Sequence, residues 1–280
     1  MNRNYLTAAI IAVSAMSIVA CTSTTQNINQ TATPNSKSIV ENSTSKNTTG
    51  KDVHHPKWSY SGDTGPESWG DVEGASICKI GQAQSPINIS RVTTGTAIAP
   101  VVNYRQSSNI RIHDNGHTVV YTPTTEDNSI RLNNDTYMLK QFHYHTPSEH
   151  QFGEKNYPGE IHFVHANSQG NLAVIGVMLN IGNTSEVLRP LIEGTLRTTQ
   201  NDDEVITAMN LSALAPTAAT FYHYAGSLTT PPCSEQVQWF VSKQPLTLAS
   251  TQFTVLSDLY DGNNRPVQPQ GSRTVQQLSH

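Results

Sequence analysis

From about residue 54 onward the chain alternates apolar and polar side chains in short runs, at 109–112, 117–121, 138–145, 160–165, 172–180 and 236–242. A period of two sends successive side chains to opposite faces, so these runs predict β-strands. Turn formers such as Asp114-Asn115-Gly116 separate them. Helical spacing is confined to 185–195 and 251–259. The pattern therefore predicts a mainly β domain with short peripheral helices. No internal repeat or second linker interrupts residues 54–280, which are expected to fold as one domain.

Two stretches ahead of that domain differ from it. Residues 5–20 are apolar or small throughout, follow Arg3 and the α-amine, and end in Ile18-Val19-Ala20-Cys21. That is the layout of a secretory signal peptide. A single transmembrane anchor is the alternative, but a spanning helix needs about 20 apolar residues and this core is short. The last four residues also resemble a bacterial lipobox, which would make Cys21 the acylated N-terminus of an exported protein. The Thr22 that follows resembles the outer-membrane default of Gram-negative lipoproteins. From 22 to 53, 20 of 32 residues are Ser, Thr, Asn or Gln, and only Ile28, Ala32, Ile39, Val40 and Val53 are apolar. Such a segment cannot bury a core; as a flexible coil it spans about 30 Å. The expected order is a signal peptide at 1–20, a tether at 21–53 and a folded domain at 54–280. The domain would sit in the cell envelope, on the periplasmic side, touching the membrane only through the lipid.

Composition narrows the function. The 17 Lys and Arg against 21 Asp and Glu leave a net charge of −4 across 280 residues, with no basic excess for a nucleic acid. Of three cysteines, setting Cys21 aside leaves Cys78 and Cys233. Export would permit a disulfide between them; two buried free thiols are the other reading.

The chemistry concentrates in Gln141-Phe142-His143-Tyr144-His145 and Glu160-Ile161-His162. Strand alternation puts Gln141, His143 and His145 on one face, and Glu160, His162 and Val164 on one face of the second run. The fourteen residues between, with Pro147, Gly153, Pro158 and Gly159, allow the chain to turn back and the strands to pair antiparallel. His143, His145 and His162 then converge as three neutral imidazoles, leaving a fourth tetrahedral position open as a catalytic zinc requires. Gln141 and Glu160, at two-residue offsets, are placed either to accept the second ring N–H of a ligand histidine or to make ordinary cross-strand polar pairs. His117, after Asn115-Gly116, reads either as a strand start at a cleft rim or as an exposed histidine beside a hairpin.

These residues resemble an α-class carbonic anhydrase. Segments matching that family recur in family order: Gly65-Pro66-Glu67 with Trp69, Gln84-Ser85-Pro86-Ile87-Asn88-Ile89, Asn115-Gly116-His117, the histidine block with Ser148-Glu149-His150, Tyr224 to Pro232, and Asn263-Asn264-Arg265-Pro266-Val267-Gln268-Pro269. The resemblance runs from about Trp58 to the C-terminus. It implies a central, twisted, mostly antiparallel sheet of about ten strands, with Zn2+ held by His143, His145 and His162 at the bottom of a cone-shaped cleft. It implies reversible hydration of carbon dioxide to bicarbonate and a proton through zinc-bound hydroxide, with His117 as proton shuttle. Thr229 would accept a hydrogen bond from that hydroxide and donate one to Glu149. Glu160 would hold the His162 ring and Gln141 the His143 ring. Val164, Val174, Leu228, Val237 and Trp239 would form the apolar wall that receives carbon dioxide, with Thr230 beside Thr229. Tyr60 and Asn115 would hold the proton-transfer waters, and Cys78 and Cys233 would be the disulfide of bacterial members. Sulfonamide-type inhibitors are expected to bind, and the oligomeric state, a dimer included, is left open.

The sequence departs from animal members at Thr146-Pro147, Ala166, Asp114 and Thr118, none of them a ligand position. His113, His150, His165 and His223 read as structural or surface residues, and His54 and His55 as part of the linker. A cupin also uses His-x-His followed by glutamate, but Tyr137 and Asn156 stand where its glycines belong. From another class, the chain reads as a surface-attached lipoprotein that keeps the fold for binding without catalysis; loss of a zinc histidine would mark that case.

Overall fold

A computed structural model describes residues 58–95, 98–199, 205–215 and 220–279. The signal peptide, the tether and Cys21 lie outside the described residues. The expected strands form at Ser108–Asp114, Val119–Pro123, Asp135–His145, Gly159–Ala166, Leu172–Ile181 and Glu235–Ser242. They join one large sheet whose main path runs Val205–Met209, Ser108–Asp114, Val119–Pro123, Asp135–His145, Gly159–Ala166, Leu172–Ile181, Glu235–Ser242, Phe221–Ser227, Val275–Leu278, Val92–Thr94. Three short strands, Val101–Asn103, Ser129–Leu132 and Leu246–Leu248, add to the flanks of this ten-strand path, giving thirteen among the described residues. Most pairs are antiparallel. Leu172–Ile181 with Glu235–Ser242 and with Leu246–Leu248, and Val275–Leu278 with Val92–Thr94, are parallel.

One face of the sheet carries the main apolar core. Ile112, Tyr121, Phe142, Phe163 and Ile175 lie opposite one another on five successive strands, all fully buried. Tyr121 stacks on Phe142 and Phe142 on Phe163, with ring centroids 4.9 and 5.3 Å apart. Burying each such side chain contributes about 1.5–3 kcal/mol, which fixes the register and with it the identity of every residue on the other face. That other face carries His143 and His162.

The two predicted helices form with shifted ends, at Arg189–Thr199 and Ser250–Ser257. The first begins late because the Ser185 hydroxyl accepts the Leu188 N–H in a preceding turn, and Pro190, which has no N–H to satisfy, suits the opening helical turn. His117 is not a strand start: it lies in the turn, and the strand begins at Val119. Asn115 Oδ1 accepts the N–H groups of His117 and Thr118, which holds the turn open for two more residues. Cys78 and Cys233 are disulfide-bonded, settling the choice against free thiols. The bridge is buried with Trp69 and Ala75 in a cluster of its own.

Candidate metal centre

Pairing of Asp135–His145 with Gly159–Ala166 sets His162 opposite His143 and Glu160 opposite His145. The three imidazoles close on one another, with ring centroids 5.0 Å apart for His143 and His145, 5.4 Å for His143 and His162, and 4.6 Å for His145 and His162. Each ring has one nitrogen turned outward to a polar partner, through a hydrogen bond at His143 and His145 and through an ion-pair contact at His162. His143 Nδ1–H donates to Gln141 Oε1 at 2.7 Å, and His145 Nδ1–H to the Asn263 carbonyl at 2.5 Å. His162 Nε2 lies 2.9 Å from Glu160 Oε1. A carbonyl or carboxylate partner fixes the proton on the committed nitrogen and leaves the other as a lone-pair donor.

Those remaining nitrogens face each other, the three ligand atoms lying within 4.8 Å of one another. His145 Nε2 is buried and has no hydrogen-bond partner. A buried nitrogen left in that state costs about 1–3 kcal/mol, a cost that a coordinated cation removes. Three neutral imidazoles with no thiolate or carboxylate among them match the donor set of a catalytic zinc. The residues therefore fit a divalent metal ion.

Electrostatics agree with neutral rings at two of the three positions. Burial lowers the pKa of His143 well below the usual imidazole range, reinforced by His145 and His162, and burial likewise lowers that of His145 against the pull of Glu149. At His162 burial also works to lower the pKa, but the charge and contact of Glu160, with Glu149 adding, reverse the balance and raise it. Glu160 itself stays ionised: burial acts to raise its pKa, and His150 and His162 together hold it well below the carboxylate range.

Glu160 is the most heavily tied group in the site. Oε2 accepts the N–H of Glu149 at 3.0 Å and of His150 at 2.9 Å, while Oε1 meets His150 Nδ1 at 2.8 Å as well as His162. The carboxylate lies over Gly176, where an added Cβ would come within 2.7 Å of Oε1. His150 Nε2 in turn accepts from Tyr224 Oη at 2.6 Å, and Tyr224 Oη from Ser85 Oγ at 2.8 Å. This buried relay was not legible beyond its place in a motif, because its members come from four separate segments.

Other expected residues gather around the imidazoles. Val174, Val237 and Trp239 are buried in one apolar cluster, against which Val164 and Leu228 pack. The Trp239 ring touches His162 with centroids 4.8 Å apart. Thr229 is buried and Thr230 half-buried in the loop after Phe221–Ser227, and that loop is held by Leu228 N–H to Ser234 O and Cys233 N–H to Thr230 O. The expected Thr229–Glu149 hydrogen bond is not formed. Glu149 Oε1 accepts the Arg265 backbone N–H at 2.7 Å, and Oε2 has no hydrogen-bond partner, lying instead 3.6 Å from His145 Nε2 and 3.8 Å from His162 Nδ1.

His117 stacks flat on Trp58, ring centroids 3.6 Å apart and planes within 4°, with the Tyr60 ring 6.4 Å away. Burial lowers its pKa, partly offset by Asp114. The acceptor oxygen of Asn115 is spent on the turn. Thr118 donates to the Tyr144 carbonyl at 2.8 Å, so its hydroxyl points back into the sheet.

Asn263 is the residue that sequence reasoning missed most completely. Its carbonyl orients His145, its Oδ1 accepts Thr146 N–H at 2.7 Å, and its Nδ2 donates to the carbonyls of Tyr144 and His117. A main-chain carbonyl leaves no residue-type signal, so nothing but its motif marked it.

The sequence profile described as "Eukaryotic-type carbonic anhydrase" matches residues 64–279. A carbonic anhydrase of Klebsiella pneumoniae is 39% identical over 221 residues, covering 78% of this chain and 89% of that protein. The structure titled as an alpha-carbonic anhydrase from Thermovibrio ammonificans in complex with the inhibitor sulfanilamide superposes with a TM-score of 0.71 at 34% identity, covering 78% of this chain and 98% of that one. Dioscorin complexed with ascorbate superposes with a TM-score of 0.75 at 27% identity, covering 80% and 99%.

Proposed function

The chain belongs to the eukaryotic-type, alpha-class carbonic anhydrase family and is an enzyme of that class, and from that premise we propose that it hydrates carbon dioxide reversibly with Zn2+ held by His143, His145 and His162. The observation that carries the metal assignment is the division of each ring: one nitrogen tied outward to Gln141, Asn263 or Glu160, the other turned inward toward its neighbours. Zinc bound by three neutral ligands supplies a Lewis acid that makes water reactive near neutral pH.

The protein's own groups do the rest. Gln141, Asn263 and Glu160 orient the rings and fix their tautomers. Glu149 Oε2, which has no hydrogen-bond partner, is the acceptor we assign to the Thr229 hydroxyl; with its proton held there, that hydroxyl offers only lone pairs to the reacting water. Carbon dioxide is uncharged and collects at the apolar surface of Val164, Val174, Leu228, Val237 and Trp239 without strong binding. The released proton passes to a ring nitrogen of His117, a residue type whose ordinary pKa near 6.5 makes transfer reversible near neutrality. Tyr60 and Asn115 line that route. Sulfonamide-type inhibitors are expected to occupy the same site, as sulfanilamide is the inhibitor in the Thermovibrio ammonificans complex.

Stopped-flow hydration with the purified chain tests the reading. A zinc-dependent, sulfonamide-sensitive rate that His143→Ala abolishes together with bound zinc is the expected result. A chain that binds zinc tightly and shows no such rate would instead favour a surface-attached, non-catalytic binding lipoprotein, a reading that the likeness to dioscorin keeps in view. Export and lipidation at Cys21 are part of the proposal, supported by the apolar 5–20 stretch and by a disulfide of the kind that persists outside the cytoplasm. Mass spectrometry should find an acylated N-terminus at residue 21; cleavage without acylation would refute the anchor.

A further inference from the structure

Cross-strand registers draw one line of side chains across the sheet. His113 lies opposite Val120, Val120 opposite His143, and His143 opposite His162. Directly opposed residues of antiparallel strands project to the same face, so His113 stands on the face of the metal ligands, two strands from His143. At about 4.8 Å per strand that is about 10 Å between Cα atoms. Alternation along Ser108–Asp114 agrees, since Ile110 and Ile112 are buried in the core behind while Asn109 and Arg111 are exposed. His113 is half-buried, and Val120 beside it is half-buried and carries no proton-exchanging group. Among the described residues, the ionisable groups nearby are Arg111, two residues back on the same face, Asp114, which accepts from Tyr260 Oη, and His143 itself.

We propose that His113 is a second proton acceptor for the reaction, working in parallel with His117. The inference rests on the carbonic anhydrase reading. His117 lies flat on Trp58, which covers one face of its ring and fixes its position, and a second imidazole on the same face gives the proton another exit. For each bicarbonate formed, one proton crosses water to a neutral ring nitrogen of His113, making imidazolium. A buffer base then removes it and restores the neutral ring. Water bridges this gap as hydrogen-bonded files do elsewhere.

The test compares zinc-loaded wild type, His117→Ala, His113→Ala and the double variant in weak buffer and with added imidazole. In weak buffer the double variant should turn over about 3- to 10-fold more slowly than His117→Ala, a modest share of what positioned acid–base groups contribute. The loss should appear in kcat rather than kcat/KM, and imidazole should restore it. A merely structural role would not be rescued. Independently of turnover, the ring protons of His113 in the cobalt-substituted protein should show a paramagnetic shift. Equal weak-buffer rates for His117→Ala and the double variant, or a His113 ring with no cobalt-induced shift, would overturn the proposal. Wild type inactive in every buffer would defeat the carbonic anhydrase reading and this inference with it, whereas an active wild type with an unaffected double variant defeats the inference alone.

Discussion

Gly176→Ala is the smallest change that should loosen the metal without touching a ligand. The added Cβ would sit 2.7 Å from Glu160 Oε1 and 3.7 Å from Trp239 Cζ3. A carbon–oxygen contact relaxes only beyond about 3.3 Å, so the carboxylate must retreat by about 0.6 Å. It has nowhere to go cheaply, because Oε1 is held by His150 and His162 and Oε2 by two backbone N–H groups, all between 2.8 and 3.0 Å. Losing one such charged contact costs about 1.5–3 kcal/mol. If half of that falls on the His162 ring, zinc affinity drops by about 4- to 12-fold, the upper end of which meets the 10- to 100-fold loss seen when an outer partner of a metal ligand is removed. Chelator competition measures the affinity, and thermal unfolding of the zinc-free chain reports the remaining strain. Zinc affinity within twofold of wild type, with an unchanged unfolding temperature, would refute the claim that Glu160 has no room to move.

Three further expectations follow from the same geometry. Burial lowers the His165 pKa from 6.5 to about 4; because the folded value is depressed, this stability is present above pH 6.5 and is lost as pH falls toward 4, about 3 kcal/mol in all. Urea unfolding across that window should show a flatter pH dependence in the Tyr104→Phe/His165→Phe double variant, which removes both members of the buried Tyr104–His165 hydrogen bond; an unchanged slope would refute it. His117→Ala should retain zinc, slow kcat in weak buffer toward the low end of the about 100- to 10,000-fold range of acid–base groups, and recover with imidazole. Since burial lowers the wild-type His117 pKa, the acid limb of kcat should lie below pH 6.5, and a limb above it would contradict the placement. Reduction of Cys78–Cys233, 155 residues apart, should cost up to about 5 kcal/mol in the chain-entropy account, read as a lower urea midpoint in Cys78→Ser/Cys233→Ser.

How much was legible depends on whether a residue's role is carried by its side chain. Strands with clean alternation were placed within a few residues, as at Asp135–His145 and Gly159–Ala166, because burial on one face dictates the period. Convergence of His143, His145 and His162 followed from two runs and one turn. Short strands such as Val101–Asn103 carry too few residues to show a period. The backbone roles of Asn263 and Arg265 are carried by a carbonyl and an N–H that every residue except proline possesses. His113 had no local signal either: its facing is fixed by registers across three strands, which no single run encodes.

The part played by Asn263 also sets an order of events. A ribosome delivers the chain from its N-terminus, so all three histidines exist well before the carbonyl that orients His145 and the Arg265 N–H that steadies Glu149. Nascent chains therefore lack a finished cradle until residues 263–265 have been made. On the proposed metal assignment, pairing of the two histidine strands alone would leave the cradle half-built, and a cation would be gripped only once the segment carrying Asn263 and Arg265 had docked on the sheet.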